Sequence, residues 1–118
     1  MARSKTARYQ MNPETKIQNE VQLAVSRMGC IPVRLQSGTF YTKQGHPVRI
    51  GINGIPDLMI LIPGGEVVFM ELKTEKGRLR EDQKKFIGRL HELGFKAEIV
   101  RSPEQAIELV KDVMANDS

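Results

Sequence analysis

Tryptophan is absent from this sequence, and all aromatics together make up only 5% of it. The core therefore has to be aliphatic, built from Ile, Val, Leu and Met. Cys30 is the single cysteine, which excludes an internal disulfide and any zinc site made of clustered cysteines. Between Gly29 and Ile31 it reads as a small core filler. The two histidines, His46 and His91, lack the spacing of a metal-binding pair and read as surface or turn residues. No apolar run approaches the roughly 18 residues that a membrane span needs. The opening MARSKTARYQ is basic without the apolar stretch of a signal peptide, so a cytoplasmic protein is expected. There is no internal repeat and no low-complexity segment.

What is present is an ordinary globular composition, 40% hydrophobic and 27% charged over 118 residues. That length makes one domain with a single modest core. The net charge of +4 and a pI near 9.4 tilt the expected partner toward phosphate-bearing molecules.

Residues 1–11, with Arg3, Lys5 and Arg8, read as a basic arm. Asn12-Pro13-Glu14 then starts a helix, with an Asn cap, Pro at the first helical position and an acid in the first turn. Ile17, Val21, Ala24, Val25 and Met28 recur at helical spacing up to Gly29. Strand composition marks 31–36, 39–43 and 48–52, with a turn at Gln44 to Pro47. Residues 57–62 (DLMILI) are apolar without alternation, which suits a central strand covered on both faces. Pro63-Gly64-Gly65 turns the chain, and 66–72 (EVVFMEL) returns antiparallel. A charged loop leads to a helix from about Arg80 to Leu93, then a strand over 96–101 and a helix to about Met114, started by Ser102-Pro103-Glu104-Gln105. The expected class is α/β, a mixed central sheet flanked by helices in the rough order α-β-β-β-β-α-β-α, with the domain over 12–114 and a tail at 115–118.

Three polar groups interrupt the water-averse hairpin: Asp57, Glu71 and Lys73. Strand residues two apart share a face, so Glu71 and Lys73 point the same way. Counted from Gly64, Asp57 is seven back and Glu71 seven forward, so the register sets them opposite each other at the open end. Two acids this close need a cation between them. Two carboxylates, the Leu72 backbone carbonyl and waters are an oxygen set suited to Mg²⁺ or Mn²⁺. Such an ion acidifies water and neutralises phosphate charge, and Lys73 would orient that water or stabilise developing negative charge. Each residue alone has a plainer reading: Glu71 and Lys73 as an ion pair on an edge strand, Asp57 as a turn residue after Pro56. Their arrival at one end of one hairpin favours a site for phosphodiester hydrolysis.

Two more polar residues interrupt apolar stripes. Glu20, three after Ile17 and four before Ala24, is expected on the core-facing side of the first helix. It would either reach the metal through water or pair with a Lys or Arg at the core edge. Gln83, three before Phe86 and seven before Leu90, is expected to face inward. Its partner would be Lys73 or the scissile phosphate, or else it is a helix-boundary amide. Lys76, Arg78, Arg80, Lys84 and Lys85 follow the second strand. They are candidates to hold phosphates, with a solvated charged face as the alternative.

With Pro56-Asp57 and Glu71-Leu72-Lys73, the chain resembles the PD-(D/E)xK nuclease superfamily and its restriction-endonuclease-like core. The longer runs GIPDLMIL and ELKTEKGRLREDQKKFIGRLHELGFKAEIVRS resemble the VRR-NUC family, the virus-type replication-repair nucleases, over about residues 12–114. The resemblance implies metal-dependent cleavage of DNA in a bacterial or phage-infected cell. It makes Asp57, Glu71 and Lys73 the catalytic core, with Glu20 as the helix-one acid and Gln83 as the glutamine of the following helix. Phe86 stands where relatives often carry Trp or Tyr. Stand-alone members of this size are similar to Holliday-junction resolvases, which implies branched DNA as the substrate and a homodimer as the assembly. The rival readings are a non-catalytic basic nucleic-acid-binding module and a sequence-specific restriction-type enzyme.

Overall fold

A computed structural model describes residues 12–116. Helix α1 (Pro13–Arg27) opens as the sequence predicts: the Asn12 side chain accepts from the Thr15 amide at 2.8 Å, with Pro13 at the first position. It closes in a Schellman cap, where Gly29 N–H bonds Ser26 O and Cys30 N–H bonds Val25 O. Strands β1 (Ile31–Arg34), β2 (Gly38–Tyr41), β3 (Pro47–Ile50), β4 (Leu58–Ile62) and β5 (Glu66–Leu72) follow. Helix α2 (Glu81–Glu92), strand β6 (Lys96–Val100) and helix α3 (Pro103–Asn116) complete the chain. The basic arm expected at 1–11 lies outside the described residues.

Five strands thus precede α2, one more than the compressed order α-β-β-β-β-α-β-α allows. The difference lies in β2 and β3, which pair only with each other. They form a two-stranded ribbon beside the main sheet, with almost every residue exposed. The tail expected at 115–118 also begins too early, because α3 continues to Asn116.

The main sheet has the order β1-β4-β5-β6. β1 pairs with β4, and β4 with β5, antiparallel, whereas β5 pairs with β6 in parallel. Strand alternation divides the side chains between two faces. Leu58, Ile60, Ile62, Val68, Met70 and Leu72 point to one face, where α1 (Val21, Val25) and α3 (Ala106, Val110, Val113) close the main core with Cys30. The opposite face carries a smaller cluster, in which Ile87 and Leu90 of α2 cover Ala97 and Phe69. One helix cannot span four strands, so Leu61 of β4 remains 36% exposed. β4 is therefore fully covered on one face only, rather than on both.

The segment leading into β4 packs tightly on the start of α2. Gly54 has φ +83°, and a Cβ there would overlap the Asp82 carbonyl oxygen and approach its carbon to 2.6 Å. Only glycine permits this approach, which sets the chain just before Asp57 against the helix turn that carries Gln83.

Candidate active site

Asp57 occupies the position immediately before β4, where its backbone carbonyl accepts from Leu35 N–H at 2.9 Å and so prolongs the pairing with the β1 side. The β4–β5 register pairs Leu58 with Met70, and one further step sets Asp57 opposite Glu71. The side chain confirms the approach: Asp57 Oδ2 accepts from the Leu72 amide at 2.7 Å. On the β6 side, Lys73 N–H donates to Val100 O at 3.1 Å, so the backbone of the Glu71-Leu72-Lys73 stretch is held from both flanks.

The polar ends converge on Glu71. Its side chain is only 2% exposed. Oε2 accepts from Gln83 Nε2 at 3.1 Å and lies 3.6 Å from the ammonium of Lys73, whose side chain is 9% exposed. Oε1 is buried with no hydrogen-bond partner among the described residues. Burial first, and then the neighbouring Asp57 carboxylate, push the Glu71 carboxyl up from its ordinary 4.5 to about 8, against the pull of Lys73. Two ionised carboxylates cannot bond each other. In the absence of a cation, the pair is relieved by a proton on Glu71.

Gln83 faces inward as its spacing predicts, 5% exposed. Its amide oxygen accepts from the Arg80 backbone N–H at 2.9 Å, forming one half of a capping box. This fixes the amide's orientation and aims the NH₂ end at Glu71. Its side-chain partner among the described residues is thus the Glu71 carboxylate and not Lys73, and the helix-boundary contact and the contact with Glu71 coexist in one side chain.

Glu20 does not face the core. It is exposed, and the buried residues of α1 are Val21 and Val25. The residues of α1 and its cap that line the cleft beside Asp57, about 350 Å³ in volume, are Asn12, Pro13, Glu14, Thr15 and Gln18; Leu72 and Thr74 line it from β5 and the loop beyond. Helix residues two apart in sequence are about 160° apart around the axis at 3.6 residues per turn, so with Gln18 at the cleft, Glu20 points away from it. The apolar spacing around Glu20 locates one border of the stripe and Gln18 the other, and the site lies along the second border.

Of the basic candidates, all exposed, Arg80 pairs with Asp82 at 3.2 Å and Lys84 with Glu81 at 3.4 Å. Lys76, Arg78 and Lys85 make no ion pair among the described residues. One residue that the sequence reading places only at the end of a strand proves to tie two elements together. The Arg101 guanidinium, just past β6, donates from Nη1 to Thr74 O (2.7 Å), Gly77 O (2.7 Å) and Glu75 O (3.3 Å).

The site offers hard oxygen donors, with a buried carboxylate oxygen left unsatisfied beside a second acid. This donor set fits a divalent cation of the Mg²⁺ or Mn²⁺ kind. Among the described residues no group of three or more His, Cys, Asp or Glu forms a metal cluster, so the side-chain donors here are the Asp57–Glu71 pair. No described helix is long and apolar enough to cross a membrane.

Comparison with known proteins agrees with this architecture. A solved structure described as a VRR_NUC domain matches with a TM-score of 0.65 at 22% identity, covering 86% of this chain and 97% of that one. At that identity the likeness bears on the fold. No curated protein matches the sequence. The family profile described as VRR-NUC domain matches residues 40–104, more than half of the chain and a span that holds Asp57, Glu71, Lys73 and Gln83; the chain belongs to the VRR-NUC family of nucleases.

Proposed function

We propose that the protein is a Mg²⁺- or Mn²⁺-dependent deoxyribonuclease that hydrolyses phosphodiester bonds, acts on branched DNA such as four-way junctions, and works as a homodimer. The observation that carries this reading is Glu71: one buried oxygen held by Gln83, the other unpartnered, with Asp57 beside it and Lys73 at 3.6 Å.

Asp57, the free Glu71 oxygen and the Leu72 carbonyl would hold the cation. When bound, it would acidify a water and offset the charge of the phosphate. The chain's own groups do the rest. Leu72 N–H fixes one Asp57 oxygen, leaving the other to bind. Gln83 occupies Glu71 Oε2 and leaves the buried Oε1 for the cation. Lys73, its side chain only 9% exposed, would orient the attacking water or stabilise charge on a phosphate oxygen better than it could in bulk solvent. Lys76 and Arg78, free of ion pairs among the described residues, would hold flanking phosphates without reading bases. Exposed Phe40, Tyr41, Val48 and Ile50 on the β2–β3 ribbon are candidates for the dimer interface, since a lone two-stranded ribbon is marginal in water. A two-fold pair of sites matches the two symmetric strands of a junction.

The test incubates supercoiled plasmid and a synthetic four-way junction with the protein and Mg²⁺, Mn²⁺ or EDTA. Cutting in either metal, stopped by EDTA and by Asp57→Ala with junction binding kept, is the expected result. Binding without cutting in every metal would instead identify a non-catalytic nucleic-acid-binding module.

A further inference from the structure

The loop from Thr74 to Arg80 follows Lys73 directly and curls back over it. Gly77 N–H bonds Thr74 O at 3.1 Å. A Cβ at Gly77 would stand 3.4 Å from both Cβ and Cδ of Lys73, so the glycine backbone lies against the stem of that lysine. Lys73 is only 7% exposed, although it lies just beyond the end of β5, and the loop is part of what covers it. The curl turns three carbonyls, those of residues 74, 75 and 77, toward one point. Their dipoles repel unless a donor meets them there. The donor is Arg101, which reaches across 24 to 27 residues of sequence. One Nη1 carries two hydrogens, so two of the bonds are short and the third is shared. The guanidinium makes no ion pair with a carboxylate among the described residues, and its own backbone N–H is held by Gln105 Oε1 at 2.7 Å. The arginine is thereby anchored on the start of α3 and spends its charge on the loop.

We propose that Arg101 is a positioning residue for Lys73: its guanidinium gathers the 74–77 carbonyls, the gathered loop covers the Lys73 stem, and the ammonium is thereby kept beside Glu71. Without these hydrogen bonds the loop opens, and Lys73 gains water and rotamer freedom. Neither the Asp57–Glu71 pair nor the hydrophobic core is touched. The consequence for cleavage rests on the nuclease reading, but the positioning itself is measurable without any cleavage.

The experiment is competitive acylation of lysines by an N-hydroxysuccinimide acetate, read residue by residue by mass spectrometry. Arg101→Met keeps an apolar stem and removes every donor; Arg101→Lys keeps a cation with three donors. In the unaltered protein Lys73 should react about tenfold or more slowly than exposed Lys76 of the same loop. In Arg101→Met the two should react at similar rates, and Arg101→Lys should fall between. Cys30, buried in the main core, reports global opening through a thiol reagent and should stay protected throughout. Lys73 that remains slow in Arg101→Met, or that opens only together with Cys30, overturns the proposal. On the cleavage side, the Arg101→Met loss should vanish in a Lys73→Ala background, because both changes remove one interaction; additive losses would also overturn it. If the unaltered protein cuts nothing, the nuclease reading fails and the labelling outcome still decides the role of Arg101.

Discussion

Replacing Glu71 by Gln should stabilise the metal-free protein, an unusual expectation for a residue at the centre of a site. The carboxyl is raised from 4.5 to about 8, chiefly by burial and then by Asp57. A group whose folded value lies above its unfolded one contributes stability that is complete below the unfolded value and disappears as pH rises through the folded value. At pH 7 the fold holds Glu71 mostly protonated while the unfolded chain has released that proton. The 2.5 pH units between 4.5 and 7, at ~1.36 kcal/mol each, correspond to about 3 kcal/mol. Gln mimics the protonated acid at every pH and removes the loss. For a domain of this size about 3 kcal/mol is roughly 10 °C in Tm. Thermal unfolding in EDTA should show the variant melting higher, with the difference near zero at pH 4.5, growing through pH 7 and levelling off above about 8. Added Mn²⁺ should raise the melting point of the unaltered protein and leave that of the variant unchanged, since ligand binding stabilises only a fold that binds it. A variant that melts lower at pH 7, or a difference independent of pH, would refute the argument that an uncompensated acid is stored here.

The same proton links metal affinity to pH. Mn²⁺ binding measured by calorimetry should strengthen about tenfold per pH unit below pH 8 and flatten above it, releasing close to one proton per ion at pH 7. Gly54→Ala should cost about 2–4 kcal/mol in denaturant unfolding, because the new methyl meets the Asp82 backbone at a φ that L residues avoid. It should also weaken Mn²⁺ binding by displacing Gln83. The double variant Lys76→Ala/Arg78→Ala should lower the slope of log K against log salt for junction binding by about 2, one for each phosphate that is no longer neutralised; an unchanged slope would remove those residues from the DNA track.

The fold was legible wherever local pattern decides. The Asn12-Pro13 start, the glycine stops and the turn at 63–65 all specify backbone chemistry within a few residues, and counting outward from that turn put Asp57 opposite Glu71. Gln83 was legible because its buried neighbours share its helix. Glu20 was not, since a polar residue bordering an apolar stripe can fall on either flank, and only the placement of α1 over the sheet decides which flank meets the site. The ribbon of β2 and β3 has the composition of sheet strands, and nothing local says that it pairs only with itself. The contacts of Arg101 were invisible for a further reason: its partners are carbonyls, which every residue carries, so no side-chain pattern marks the bond.

The account depends on a cation gripped between Asp57 and the free oxygen of Glu71. Anomalous diffraction at the manganese edge, from crystals soaked in Mn²⁺ near pH 8, tests this directly. The expected result is a peak within coordination distance of Glu71 Oε1 and an Asp57 oxygen, lost in Asp57→Asn crystals. A soaked crystal with no peak there, or one whose peak persists in Asp57→Asn, would contradict the account.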